Sequence, residues 1–469
     1  MLAQNVAARA FSLASQLVLA SLLRPADFGL IGLAYTVTSI AATLTNIGIE
    51  DVLMQRQRAL RLWTGAAFWI ILGLASLAGL LVAAVSPVAA AAYKAPELVG
   101  LLAVTALAMP INALAAVPGM IMRSRMQFGV LALYGTLEMA AQSLLTIILA
   151  WAGFGAYSFV IPAPVLAVAR AVIWWRLANP GVKLRPERRR WKYVVNNTAA
   201  TFLTRIIIAF INQGDYIVLG LVASQDVVGG YYFGFRLAAQ PLWILAGNFS
   251  GVIFPALAQL KGDSKRQGDA ALKASNLLSF CVMPLAMLQA AAAAPLVSSL
   301  FGDKWVTSIP IIQLLSIGLA FDAVSWIAGS LLNARGEFVA GLRYSLIQGP
   351  MFYLLAWIGA RFGQAIGVAW AVCVFYAVSQ PVYVWAAYRR LGVGAREVAM
   401  IYLRPTAYAG VAVGLGLLAS MAPWLNGHQL VRVLVIGVVG IALYAALVRW
   451  LAREIWSELR DRAVGALRR

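Results

Sequence analysis

Long apolar runs separated by short polar gaps dominate this chain. A helix needs about 20 predominantly apolar residues to cross a bilayer. About fourteen runs meet that requirement: 5–23, 28–50, 63–90, 98–121, 128–152, 156–178, 197–222, 227–258, 274–300, 307–332, 338–360, 364–388, 399–421 and 429–450. The gaps alternate in character. One set is basic and includes "QRQRALRLW", "RSRMQF", "KLRPERRRWKY" and "KGDSKRQGDAALK". The other set, with "LRPAD", "GFGA", "VASQD" and "FGDKW", carries no more than one Lys or Arg per gap. Basic loops remain in the cytoplasm. The alternation therefore predicts an even number of spans with both termini cytoplasmic. The first run leads into "RPADFG" rather than a small-residue cleavage site, which predicts a retained membrane helix.

Part of the pattern recurs. "RSRMQFGVLALYGTLEMAAQ" at 123–142 aligns with "NARGEFVAGLRYSLIQGPMF" at 333–352, so that Arg125, Phe128, Tyr134 and Glu138 fall on Arg335, Phe338, Tyr344 and Gln348 at a constant offset of 210. Arg9 and Gln16 answer Arg205 and Asn212, and Asp27 and Gly29 answer Asp226 and Gly229. These matches predict two copies of a six-helix unit. Since six spans return the chain to its starting side, the copies are parallel repeats related by an axis along the membrane normal. The expected organisation is an N-terminal lobe at 1–178, a basic cytoplasmic linker at 179–196, a second lobe at 197–390, and an extra helix pair with a cytoplasmic tail at 391–469. The fold class that follows is an all-α polytopic membrane protein.

Composition agrees with this reading. The 469 residues are 62% hydrophobic and 12% charged, about half the charge of a soluble domain. The net charge of +20 lies in the gaps, where topogenic charges belong, so a nucleic-acid partner is not expected. Cys281, Cys373 and the single His428 predict no disulfide framework, no metal centre and no histidine-based catalysis.

Some polar residues lie inside the spans, where a charge costs at least a few kcal/mol. They form stripes. Arg205 and Asn212 on the seventh run are seven positions apart, about 20° short of two full turns. Gln213, Asp215 and Tyr216 extend that stripe. Asn5, Arg9 and Gln16 form the corresponding stripe on the first run. Tyr134, Glu138 and Gln142 share a face of the fifth run, Arg236 and Gln240 of the eighth, and Asp322 and Ser325 of the tenth. Turned towards each other, such faces would enclose a polar, partly cationic cleft. Two placements suit Arg9 and Arg205, a cavity wall or a snorkel to the surface. Arg236 could likewise reach the outer surface, and Asp322 could pair with a neighbouring helix. Arg170, flanked by Ala169 and Ala171 without a polar stripe, reads as structural.

The opening "LLRPADFGLIGLAYTVTSIAATLTNIGIEDVLMQR" resembles that of bacterial polysaccharide transporters, in its "L-x-P-x-D-F-G" step and its second helix ending in "G-I-x-x-x-L-x-Q-R". The "R-x-x-F" entries to the fifth and eleventh runs resemble the same oligosaccharide-flippase branch of the multidrug/oligosaccharidyl-lipid/polysaccharide exporter superfamily. The resemblance implies a non-enzymatic flippase of a bacterial inner membrane. It would move polyprenyl-diphosphate-linked oligosaccharide by alternating access, for exopolysaccharide, capsule or O-antigen assembly. It further implies no cofactor, contact with membrane lipids, and a polysaccharide polymerase and chain-length regulator as partners. Within it, Arg9, Arg205 and Arg236 would meet the diphosphate, and Asn5, Gln16, Asn212, Gln213 and Tyr216 the sugars. Asp215, Glu138 and Asp322 would take up the coupling ion. A multidrug exporter of the same superfamily is the nearest alternative. A membrane-embedded polymerase or glycosyltransferase is disfavoured, because no long external loop offers paired catalytic groups.

Overall fold

The computed structural model describes residues 15–45, 60–178, 205–425, 427–458 and 460. Among them every regular element is helical. Ten stretches are long and apolar enough to cross a membrane, or eleven if a bent pair counts as one span. Two of the ten, Ser264–Arg335 and Val339–Leu391, run to 72 and 53 residues, more than twice the length of one crossing. Each holds two helices. Large apolar side chains are exposed throughout, Leu80 at 69%, Ile347 at 69% and Val438 at 67% among them. Water would not tolerate that surface, and lipid does. The buried positions are rich in alanine, which lets neighbouring helices approach closely without a hydrophobic drive between them. The protein is a multi-pass membrane protein.

The chain forms two compact units, residues 1–229 and 230–469. In the first, α1 (Pro25–Thr43), α2 (Leu60–Ala92), α3 (Leu98–Leu114), α4 (Ala116–Ser124), α5 (Phe128–Trp151) and α6 (Pro162–Ala178) are followed by α7 (Gly214–Val222). Residues 15–22 are helical ahead of α1. The "RPADFG" step has a local logic. Pro25 opens α1 with a preset φ. The Asp27 carboxylate accepts the Arg24 backbone N–H at 3.0 Å, which satisfies an amide that the turn leaves open. Phe28 is buried edge-on against Phe159, with centroids 5.5 Å apart.

Gly29 sets a close crossing. A Cβ there would press on the carbonyl oxygen of Gln225 and lie 3.1 Å from the backbone nitrogen of Gly229. A Cβ on Gly229 would in turn press on the carbonyl oxygen of Pro25 and lie 2.9 Å from the Gly29 nitrogen. The two glycines that answer each other in sequence thus meet backbone to backbone.

The second unit takes in most of α8 (Gln225–Gln259), then α9 (Ser264–Phe301), α10 (Ile309–Arg335), α11 (Phe338–Tyr388), α12 (Ala395–Ser420) and α13 (Gln429–Leu451). The last two helices pack on each other and on α9. Ser279 donates to the Ile401 carbonyl at 2.7 Å and Tyr444 to that of Phe280 at 2.8 Å. Gly440 leaves room for Leu288 of α9.

Several backbone features recur at the offset of 210. In the first unit Gln127 N–H bonds the Met122 carbonyl, and Met126 N–H bonds that of Arg123, both at 3.0 Å. In the second, Glu337 N–H bonds the Leu332 carbonyl at 2.9 Å and Gly336 N–H that of Asn333 at 3.1 Å. Both are Schellman-type helix ends built on a left-handed residue, Met126 at φ 59° and Gly336 at φ 75°. Past α5 the chain turns at Gly153, φ 86°. At the same register α11 breaks at Gly363 and Gln364, the latter at φ 46°.

Gly29→Ala and Gly229→Ala should each lower stability by about 1–3 kcal/mol through overpacking at the crossing. Gly135→Ala, which meets open space inside α5, should hold or raise it. Thermal unfolding of the purified protein in detergent measures all three.

Candidate functional site

The polar residues inside the membrane helices gather into three groups. The first joins α3, α5 and α6. Arg170 lies 3.3 Å from the Glu138 carboxylate and donates a hydrogen bond to the Asn112 side chain. Its guanidinium stands 5.9 Å from the centre of the Trp174 ring, and Tyr134 meets that indole edge-on at 5.8 Å. Each helix thus supplies one member of a charge-balanced triad, and no net charge is stranded. Arg170 is a partner that inspection of single helices misses. Its two alanine neighbours hide it, because its companions lie 32 and 58 residues back in the chain.

The second group, in α10 and α11, occupies the same register. Adding 210 to Asn112, Glu138 and Arg170 gives Asp322, Gln348 and Gln380. Gln380 donates to Asp322 Oδ1 at 3.2 Å, just as Arg170 donates to Asn112. Both bonds span 58 residues. Trp326 donates to the other Asp322 oxygen at 3.2 Å. Tyr344, the counterpart of Tyr134, packs on Tyr383 with ring centres 4.7 Å apart and planes tilted by 35°, and donates to the Ser379 carbonyl. The scaffold recurs but the charges do not. Where the first group holds an acid and a base, the second holds one acid with neutral donors. Among the described residues Asp322 makes no ion pair, and Gln348 keeps a buried amide nitrogen without a partner. Gln380 and Gln348 carry no charge and so give no signal in a search for membrane charges. The register alone could have found them.

The third group lies where the seventh run breaks. A continuous span is expected there. Instead Arg205–Asn212 and α7 (Gly214–Val222) meet at 44°, with Gln213 at the bend. The straight-helix phase of the stripe ends at that point. Arg205 and Asn212 are exposed and Gln213 is half-buried, whereas Asp215 and Tyr216 are 3% and 6% exposed. Asp215 stands in the first turn of α7 and accepts the Tyr216 N–H at 2.9 Å. A carboxylate there faces the positive end of the helix dipole.

Gln16 is half-buried in the helix at 15–22. Arg236, half-buried on α8, donates to the Tyr232 hydroxyl at 2.6 Å and stands 5.5 Å from the centre of that ring. Asn5, Arg9 and the linker 179–196 lie outside the described residues.

Comparison with known proteins places this arrangement in context. Residues 18–310 match the family described as "Polysaccharide biosynthesis protein". The chain belongs to that family. It is 23% identical over 381 residues to the succinoglycan biosynthesis transport protein ExoT of Rhizobium meliloti, covering 79% of this chain and 75% of the relative. It is 22% identical over 360 residues to the lipopolysaccharide biosynthesis protein WzxC of Escherichia coli, covering 75% and 72%. Among solved structures it is similar to "Lipid II flippase MurJ, inward closed conformation", with a TM-score of 0.77, 13% identity, and 96% and 98% of the two chains covered. It also resembles an inward-facing multidrug transporter of the MATE family at a TM-score of 0.63, 16% identity, covering 81% and 94%. Both structural likenesses show that the chain shares the fold of these two transporters.

A double-mutant cycle of Glu138→Gln and Arg170→Gln, read from thermal unfolding in detergent, should return a coupling of about 1 kcal/mol, the scale of interhelical polar contacts in membranes. Gln348→Leu should cost little, because its amide nitrogen already lacks a partner.

Proposed function

We propose that this protein is a flippase of bacterial surface-polysaccharide assembly. It carries a polyprenyl-diphosphate-linked oligosaccharide across the inner membrane by alternating access. One observation carries the reading: family membership joined to a relative named as a succinoglycan transport protein, aligned over three quarters of both chains. The relatives with lipopolysaccharide and teichuronic acid names point the same way. The orientation has both termini in the cytoplasm, supported by the alternation of basic gaps. A polymerase and a chain-length regulator are the expected partners. No step of the transport cycle calls for bond chemistry in the protein.

The substrate chemistry suits the residues available. A diphosphate gives up water on entering the membrane and needs guanidinium donors in exchange. Arg9, Arg205 and Arg236 are assigned to it. Sugar hydroxyls need amides and aromatic faces, and Asn5, Gln16, Asn212, Gln213 and Tyr216 are assigned to them. The bend at Gln213 supports this, because broken membrane helices present polar backbone where cargo binds.

For coupling, Asp322 is placed ahead of Glu138 and Asp215. Neutralising Glu138 would strand the Arg170 charge among membrane helices, which is costly. Neutralising Asp322 with a proton or a monovalent cation strands nothing, because its partners are an indole and an amide. Asp215 stabilises the start of α7 in its ionised form.

Arg205→Ala should slow transport of a lipid-linked oligosaccharide into proteoliposomes by about tenfold, the value of one charge-assisted hydrogen bond. Asp322→Asn should remove the dependence of that flux on imposed proton and sodium gradients. Unchanged flux in Arg205→Ala together with Arg9→Ala would overturn the cationic assignment. An undiminished gradient response in Asp322→Asn would overturn the coupling assignment.

A further inference from the structure

The far end of α13 carries a feature that export does not use. The helix stops at Leu451, because Ala452 leaves helical geometry at φ −134° and ψ 54°. Residues 453–458 then resume a short helical stretch, and Trp456 N–H bonds the Ala452 carbonyl at 3.0 Å across the break. Lys273 of α9 pins that stretch through Glu458 at 3.0 Å. Between the helix end and the resumed turn lies an open cleft of about 570 Å³, lined by Arg449, Trp450, Arg453, Trp456 and Arg460. Its lining thus holds three guanidinium groups, two indoles and no carboxylate. Two described acids are close by in sequence and neither lines the cleft: Glu454 is exposed, and Glu458 pairs with Lys273. Among the described residues Arg449 and Arg453 make no ion pair.

We propose that this cleft binds the phosphate headgroup of an anionic diacyl phospholipid. Guanidinium groups grip phosphate oxygens two at a time, which a lysine cannot do. Indoles are at home where headgroups begin, with an apolar body and one N–H donor. Clustered basic residues at the end of a membrane helix draw anionic lipid. The lipid is favoured over a free anion by the cleft's surroundings. Trp450 is 76% exposed and Leu451 62% exposed, and the exposed Leu434, Val438 and Ile441 form an apolar face on the same helix that lies within about 80° of Arg449 around the axis. Acyl chains can lie on that face while the headgroup sits in the cleft. A free phosphate would leave it uncovered.

The test uses the full-length protein in detergent and native mass spectrometry, with phosphatidylglycerol and phosphatidylethanolamine as probes. Arg449→Gln with Arg453→Gln should weaken retention of phosphatidylglycerol by roughly tenfold or more, the weight of two basic residues at an anionic surface. Phosphatidylethanolamine retention should not change. Unaltered phosphatidylglycerol retention, or a parallel loss of both lipids, would sink the proposal. Inorganic phosphate and a polyprenyl diphosphate serve as competitors. Displacement of phosphatidylglycerol by either one at equal concentration assigns the cleft to a different ligand and also overturns it. Should the double variant not fold, brominated phosphatidylglycerol provides a second reading, because bromine quenches nearby indoles. Quenching should fall in Trp450→Phe relative to the unmodified protein, and equal quenching in both refutes the site. Neither measurement reads transport, so a failed flippase assay leaves this test intact.

Discussion

Hydrocarbon offers no hydrogen bonds, so every backbone polar group carried into it must find its partner inside the protein, and a side-chain charge must be balanced there. That constraint shapes the chain at each level. Backbone groups are satisfied by helices throughout the described residues. Where helices end, left-handed turns at Met126 and Gly336 return the last amides to free carbonyls. On α9, Ser279 donates to the Ile401 carbonyl, Ser275 shares a hydrogen bond with the Tyr388 hydroxyl, and the Phe280 carbonyl accepts from Tyr444. Charges obey the same rule at higher stakes. Arg170 enters the membrane region only in the company of Glu138 and Asn112.

The two polar groups at a common register show how one scaffold can serve two purposes. In each, a residue of one helix receives a hydrogen bond from a residue 58 positions later, at matched places in the two units. In the first unit the donor is an arginine and its charge is balanced, which suits a permanent brace. In the second the donor is an amide and the acceptor a lone carboxylate, which suits a group whose charge changes. The helix ends before them share one hydrogen-bond pattern while the electrostatics differ.

Much of this was legible in the residues alone. Run lengths and alternating gaps locate most of the spans, because apolar length and loop charge are each set by the bilayer. The offset of 210 was visible from Arg125, Phe128, Tyr134 and Glu138, where residue type is retained. It fades at Asn112, Arg170 and Gln380, because there the residue type changes and only the geometry persists. A wheel drawn for one helix cannot see that Arg170 completes a cluster from two others. Nor does it see the bend at Gln213, which moves Asp215 and Tyr216 out of phase with Arg205.

The paired approach of Gly29 and Gly229 has an evolutionary corollary. Each position is sterically policed by the main chain of the other, so neither can acquire a side chain while its counterpart stays put. Substitutions at two sites far apart in the gene are thereby made non-additive, because each alters the space that the other needs.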